Sequence, residues 1–138
     1  MFIYHHPIRV RYAETDQMGY VYYGNYSTYY EVARAEALRS LGLSYKEVED
    51  AGVMMPVIKN NSLYFHPARY DDLLDIKVIL KSPPSARITF HYEIYIENVL
   101  IHTGDTTLAF VNKETFKPCR APELMVEMLK PFFNEEKN

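Results

Sequence analysis

The chain has 138 residues, 48% of them hydrophobic and 24% charged, a size suited to one packed unit and a composition too apolar for a disordered chain. Its formal net charge of −3 offers no general attraction to nucleic acid or an anionic membrane, so an anionic ligand must find local cations. The single cysteine, Cys119, excludes an internal disulfide and a cysteine-based metal cluster, and suits a reducing compartment. The first residues, MFIYHHPIRV, lack a basic region followed by a long apolar core. No run reaches the length of a membrane span, and the cytoplasm is the expected location.

His5 and His6 precede Pro7 in a segment expected to fray. Without further ligands at a suitable spacing they read as an exposed pair, and no metal site is expected. Arg9-Val10-Arg11-Tyr12 has the alternation of a half-buried strand, and Thr15 to Gly24 is a loop broken by Gly19 and Gly24. Asn25 is expected to cap a helix. From that cap Tyr26, Tyr30, Ala33, Ala37 and Leu41 form one apolar stripe at the helical period, Arg39 suits the last turn, and Gly42 ends it.

Asp16 therefore stands on a loop between a strand and a helix. The start of a helix carries unpaired N–H groups and partial positive charge, which suit a charge-developing oxygen. A carboxylate upstream, on a loop that turns at Gly19, can fold back toward that end. One acid beside one oxyanion cradle is a minimal acyl-transfer site. The spacing alone leaves open a turn former or a cap. Six of the 13 tyrosines fall between Tyr20 and Tyr30, too dense for a free surface loop. They are expected to divide between core, subunit interface and an aromatic-lined pocket, with the interface taking more of them.

Farther on, Ser44 and Glu47 form a capping-box pair at the start of a short helix closed by Gly52. Val53 to Phe65 is apolar, with Pro56 near its start and Asn60-Asn61-Ser62 inside, which reads as a strand start or edge with either a bulge or a ligand-facing stretch. His66 to Asp72 is a polar connection in which His66 is read as structural, and Asp71, Asp72 and Asp75 as a solvated acidic turn. Leu74–Lys81, Ile88–Glu97 and Val99–Val111 alternate as strands, with Glu97-Asn98 as a short turn, and form an antiparallel meander. Gly104 marks a bulge or a close backbone approach. Lys81 to Arg87, with Pro83 and Pro84, is a stiff turn that is either solvated or set to meet phosphates. Pro122 to Phe133 reads as an amphipathic helix with Leu124, Met125, Met128 and Leu129 inward, and 134–138 as a mobile end. A sheet with one dry face needs cover, and the helix from Asn25 is the long amphipathic one available. The fold class is therefore α+β, an antiparallel sheet wrapped around a long central helix.

Tyr12-Ala13-Glu14-Thr15-Asp16-Gln17-Met18-Gly19, followed by Val21-Tyr22-Tyr23-Gly24-Asn25-Tyr26, resembles the signature of the hotdog-fold acyl-CoA thioesterases. The branch is that of 4-hydroxybenzoyl-CoA thioesterase and the Tol-Pal-associated acyl-CoA thioesterases, and the order of elements fits over roughly residues 7 to 112. The resemblance implies a single hotdog thioesterase domain over 1–138 that hydrolyses an acyl- or aroyl-CoA thioester. Asp16 would be the catalytic acid, as nucleophile or general base. Tyr23 stands where the Tol-Pal-associated members carry a histidine, which removes histidine-assisted chemistry from this loop and leaves Tyr23 to act through its backbone N–H. Gly24 and Asn25 at the helix start, Asn60 and Asn61 on the strand bordering the site, and Ser85 and Arg87 toward the coenzyme A moiety are the implied substrate-binding residues. Coenzyme A is part of the substrate, and no other cofactor is implied. A homodimer or homotetramer is expected, with acid and pocket drawn from different subunits. A non-catalytic acyl-CoA-binding module is the alternative. Other catalytic motifs (G-x-S-x-G, Gly-rich phosphate loops, H-E-x-x-H) are absent from the sequence.

Overall fold

The alternation read along the chain builds the sheet. In the computed structural model, which describes residues 1–134, the elements run β1 (Phe2–Arg9), a 3₁₀ turn (Tyr12–Glu14), α1 (Asn25–Ser40), α2 (Tyr45–Asp50), β2 (Val53–Met54), β3 (Val57–Tyr64), β4 (Leu73–Leu80), β5 (Arg87–Ile96), β6 (Val99–Ala109), β7 (Val111–Asn112) and α3 (Glu123–Leu129). Five strands pair in the order β1-β4-β5-β6-β3, all antiparallel. Leu74, Ile76, Val78 and Leu80 of β4 and Ile88, Phe90, Tyr92 and Ile94 of β5 are buried on the inner face, as the period of two requires. The turn between β5 and β6 places Glu97 and Asn98 both at positive φ, 47° and 67°, a geometry that matches the twist of the strands it joins.

The 16-residue α1 lies on that inner face, burying Tyr26, Tyr29, Tyr30, Ala33, Arg34, Ala37 and Leu38. The buried band is wider than the expected stripe, because Tyr29, Arg34 and Leu38 flank it, while Leu41 is half-buried. Tyr30 stacks on Tyr92 at 4.1 Å between centroids, with 4° between the planes. Gly104 of β6 permits this approach: a β-carbon there would lie 2.1 Å from the Tyr30 hydroxyl oxygen. The close-approach reading of Gly104 thus holds, and the irregularity between β5 and β6 falls at Ile94/Tyr95 instead.

Five expectations are corrected. The first strand is β1, not Arg9–Tyr12. His5 and His6 pair with Lys77 and Ile76 of β4 rather than fraying, and His5 Nδ1 lies 3.0 Å from the Asp75 carboxylate. Gly24, not Asn25, precedes α1. The register of β3 is regular at Asn60-Asn61-Ser62 and shifts between Val57 and Lys59, so the polar cluster is not a bulge. The C-terminal segment is a shorter α3 followed by a 3₁₀ turn at Lys130–Phe132, with Met125 and Leu129 inward and Leu124 exposed. Ser44 caps α2 by accepting from the Glu47 N–H at 3.2 Å, as expected. The mobile-end expectation concerns 134–138, of which 135–138 lie outside the described residues.

Candidate active site

The segment between β1 and α1 folds into two linked turns. Asp16 N–H donates to the Tyr20 carbonyl at 2.8 Å, and Gly19 N–H returns to the Asp16 carbonyl at 2.9 Å. Gly19 closes this turn at φ 78°, a conformation that a side chain disfavours. Within the turn, Asp16 Oδ1 accepts the N–H of Met18 at 2.9 Å and of Tyr20 at 3.2 Å. Among the described residues no donor engages Oδ2. One oxygen therefore fixes the carboxylate and the other remains free for chemistry.

Asp16 borders a cavity of about 300 Å³ whose walls include Tyr20, Tyr23, Tyr26, Tyr64 and Phe65, together with Met18, Val21, His66 and Pro67. The aromatic-lined pocket expected from the tyrosine density thus exists beside the acid. Its far wall is the end of β3 and the connection to β4, which no local pattern joined to Asp16. His66, read as structural, borders the same cavity from outside the acid loop.

The start of α1 supplies the second component. Asn25 N–H donates to the Tyr22 carbonyl at 2.9 Å and Tyr26 N–H to the Tyr23 carbonyl at 3.3 Å. The N–H groups of Tyr23 and Gly24 have no acceptor among the described residues, so two donors stay unspent where the helix begins. Tyr23 is 66% exposed and its ring lies 4.8 Å from that of Tyr22. Asn25 does not cap the helix with its side chain. Its Nδ2 donates to the Glu14 carbonyl at 2.8 Å.

Glu14 was not singled out by the sequence, although Arg11-x-x-Glu14 is a readable i,i+3 ion-pair spacing. The residue is 9% exposed. Oε1 accepts Arg11 N–H at 2.8 Å and the Tyr29 hydroxyl at 2.9 Å, while Oε2 accepts Arg11 Nη2 at 2.9 Å. Burial opposes its ionisation, but these donors outweigh burial and hold the carboxyl below its ordinary pKa. Burial, then the bond to Glu14, raises the Tyr29 phenol well above its ordinary value, which keeps it a donor.

Behind the cavity, His102 is fully buried, stacked at 4.3 Å against Tyr26 and bonded through Nε2 to the Tyr30 hydroxyl. That hydroxyl also meets Ser62 Oγ at 2.7 Å. Burial pushes the His102 imidazole down to about 4, so it is neutral at pH 7.

The other sequence candidates lie elsewhere within one chain. Asn60 joins the edge strand to α1 and β6, donating to Ser27 Oγ at 3.0 Å and accepting from Thr106 Oγ1 at 2.7 Å. Asn61 points to the outer face and donates to Asp105 at 3.1 Å. Ser85 and Arg87 sit where Arg87 pairs with Ala109, whereas the cavity lies where Tyr64 pairs with His102. Those positions are seven residues apart along β6, about 23 Å at ~3.3 Å per residue. The chain does not bring Ser85 or Arg87 to its own Asp16.

Comparison with known proteins bears on this arrangement. A family model described as Thioesterase-like superfamily matches residues 10–129. The acyl-CoA thioester hydrolase YbgC of Escherichia coli O6:H1 is 33% identical over 125 residues, covering 90% of this chain and 93% of that one. The structure of a DHNA-CoA thioesterase from Staphylococcus aureus is similar with a TM-score of 0.82 and 35% identity, over 99% of this chain and 87% of the other. The 1,4-dihydroxy-2-naphthoyl-CoA thioesterase of Synechocystis shares the fold, with a TM-score of 0.84 at 20% identity over 96% of this chain and 98% of the other. With an acid turn, a helix start holding two unspent N–H groups and a match that spans nearly all the strands, the chain belongs to the thioesterase-like superfamily of hotdog-fold proteins.

Proposed function

We propose that this protein hydrolyses an acyl- or aroyl-CoA thioester to the free acid and coenzyme A, as a single thioesterase domain whose sheet wraps α1 in the hotdog manner. The observation that carries the reading is the Asp16 carboxylate, held through Oδ1 with Oδ2 free, on a cavity shared with Tyr23. The thioester carbonyl oxygen is held by the N–H of Tyr23 or Gly24. Charge grows on that oxygen in the transition state, and one such donor is typically worth ~3–4 kcal/mol of barrier.

Two routes use the same carboxylate. In the nucleophilic route Oδ2 bonds to the acyl carbon, the C–S bond breaks, and coenzyme A leaves as a thiolate that takes a proton from water. Water then opens the resulting anhydride at the acyl carbon or at Asp16, releasing the acid and restoring the carboxylate. In the general-base route water attacks directly, its proton passes to Asp16, and the departing thiolate recovers a proton as the carboxyl ionises again. Neither route uses a metal or a redox cofactor.

The substrate-binding roles follow from a second copy. β3 is an edge strand with Val57, Ile58, Leu63 and Tyr64 exposed. Antiparallel pairing of β3 with its copy sets the Val57 end of one chain against the Tyr64 end of the other. The partner's Ser85 and Arg87 then approach the cavity, where a cation meets the phosphates of coenzyme A. Asn60 and Asn61 then lie along the seam. The partners are thus the acyl-CoA substrate and a second copy of the chain, in a dimer or a tetramer. Among the described residues no helix is long and apolar enough to cross a membrane, and we place the activity in the cytoplasm. The similar proteins are named as an acyl-CoA thioester hydrolase and a DHNA-CoA thioesterase, which supports a coenzyme A thioester as the substrate class.

A thiol-release assay over short, long and aromatic acyl-CoAs tests the reading. Asp16→Asn keeps an oxygen for the Met18 and Tyr20 N–H groups, so the turn survives while the base or nucleophile is lost. The expected loss is ~10²–10⁴-fold in kcat. An Asp16→Asn protein as active as wild type, or a wild type inert toward every thioester, refutes it. Tight acyl-CoA binding without turnover makes the protein a binding module. In a single turnover in H₂¹⁸O, label appearing in the Asp16 carboxyl group assigns the nucleophilic route, because water attack on the anhydride at Asp16 is the step that places it there.

A further inference from the structure

A site of this kind needs the acid and the oxyanion donors in one fixed relation, yet Asp16 and Gly24 are eight positions apart on a loop with no regular structure. One carbonyl joins the two ends of that loop. The Glu14 carbonyl oxygen accepts the Tyr22 N–H at 2.9 Å and Asn25 Nδ2 at 2.8 Å. Tyr22 immediately precedes the first free N–H, on Tyr23, and Asn25 immediately follows the second, on Gly24. Two residues after Glu14 comes Asp16 itself. We infer that Glu14 is the positioning residue of the site, holding the Asp16 turn and the free N–H groups of α1 in register through its own backbone.

The side chain is what immobilises that carbonyl. Oε1 accepts the Arg11 N–H and the Tyr29 hydroxyl, and the Arg11 guanidinium covers Oε2. Arg11 anchors the exit of β1, and Tyr29 projects from the second turn of α1. The carboxylate therefore ties the strand that leads into the acid loop to the helix that begins at the donors. Because Arg11 is exposed, the tie to the buried Tyr29 and to the Arg11 backbone is the part shielded from solvent. Glu14 does not line the cavity and is a positioning residue, not a catalytic one. Its effect reaches the chemistry through the geometry of Asp16 and of the Tyr23 and Gly24 amides.

This inference rests on the thioesterase reading, and the test separates the two. Glu14→Gln, Glu14→Ala and Tyr29→Phe are compared with Asp16→Asn in the thiol-release assay, well below each variant's melting temperature. A displacement of ~1 Å in a catalytic geometry costs on the order of 10²-fold. Glu14→Ala should therefore lose ~10²-fold in kcat with KM within about twofold, Glu14→Gln about tenfold, and Tyr29→Phe a few-fold. Tyr29→Phe removes one hydroxyl and leaves the packing, so it remains informative if Glu14→Ala does not fold. In ¹H–¹⁵N spectra, the Tyr23 and Gly24 amide resonances of Glu14→Gln should shift while those of β5 stay in place. A folded Glu14→Gln with wild-type kcat and unmoved Tyr23 and Gly24 amides, beside an inert Asp16→Asn, overturns the positioning role alone. A loss confined to KM also overturns it. An active Asp16→Asn instead removes the thioesterase reading, and the amide shifts still decide whether Glu14 sets the geometry.

Discussion

Gly104→Ala is a stringent test of how α1 meets the sheet. The added methyl would lie 2.1 Å from the Tyr30 hydroxyl oxygen, 2.6 Å from Tyr30 Cζ and 2.8 Å from the Asn61 carbonyl oxygen. The first falls about 1.3 Å short of the 3.4 Å at which ordinary contact begins. Tyr30 cannot retreat, because it is fully buried and stacked on Tyr92, and Asn61 is held in the β3–β6 ladder. Overpacking of this kind costs about 1–3 kcal/mol. Displacing the hydroxyl also strips His102 Nε2 and Ser62 of their partner, and a buried polar group left unsatisfied costs a further ~1–3 kcal/mol. The expected destabilisation is about 3–5 kcal/mol, a large share of a typical ~5–15 kcal/mol. Urea unfolding followed by circular dichroism measures it, and the melting temperature should fall by roughly 10–15 °C. Tyr30→Phe removes the nearest atom but leaves Cζ at 2.6 Å, so in the double variant the two costs should add less than fully. Gly104→Ala within about 0.5 kcal/mol of wild type would refute this account of the packing.

Stability should also fall in acid. His102 is neutral when folded, with its imidazole down to about 4, while the unfolded chain protonates near the ordinary 6.5. The unfolded state therefore binds more protons between these values, and up to about 3 kcal/mol is lost as pH drops from about 6.5 to 4. His102→Asn should flatten that window in a pH series of urea melts. The lowered pKa of Glu14 adds a loss at lower pH: its contribution is complete above the unfolded carboxyl value and disappears as pH falls through the folded one. Tyr23→Phe should leave kcat within about twofold, since the backbone N–H does the work, and a ~10²-fold loss in the thiol-release assay would assign the phenol a role. Arg87→Ala should raise KM for acyl-CoA several-fold at nearly constant kcat, the signature of lost ground-state binding. His66→Gln tests the imidazole beside the cavity: an acid/base role predicts a change in the shape of the kcat/KM–pH profile, whereas a wall role predicts a uniform decrease.

Much of the fold was legible because its signals are local. The period-two runs of β4 and β5 bury the residues expected, and Ser44 with Glu47 starts α2 as its spacing implies. Errors arose where a partner far along the chain decides the outcome. His5 and His6 look like a fraying end until β4 offers them a ladder. Asn25 is a good cap by residue type, but the Glu14 carbonyl, eleven residues upstream, takes its amide instead. Leu124 and Met125 are equally apolar, and only the direction from which α3 meets the core turns Met125 inward and Leu124 outward.

The acid loop divides along the same line. Asp16, Gly19 and the start of α1 were readable because a turn, a glycine and a helix onset are set by backbone sterics over a few residues. Residue order alone could not show that Tyr64, Phe65 and His66 close the cavity from the end of β3, or that Glu14 fastens the acid turn to the helix through Arg11 and Tyr29. The cavity wall exists because the antiparallel order β1-β4-β5-β6-β3 carries the end of β3 back beside the first turn of α1. Side-chain chemistry thus chose the elements, while strand order and register decided which of them face each other across the site.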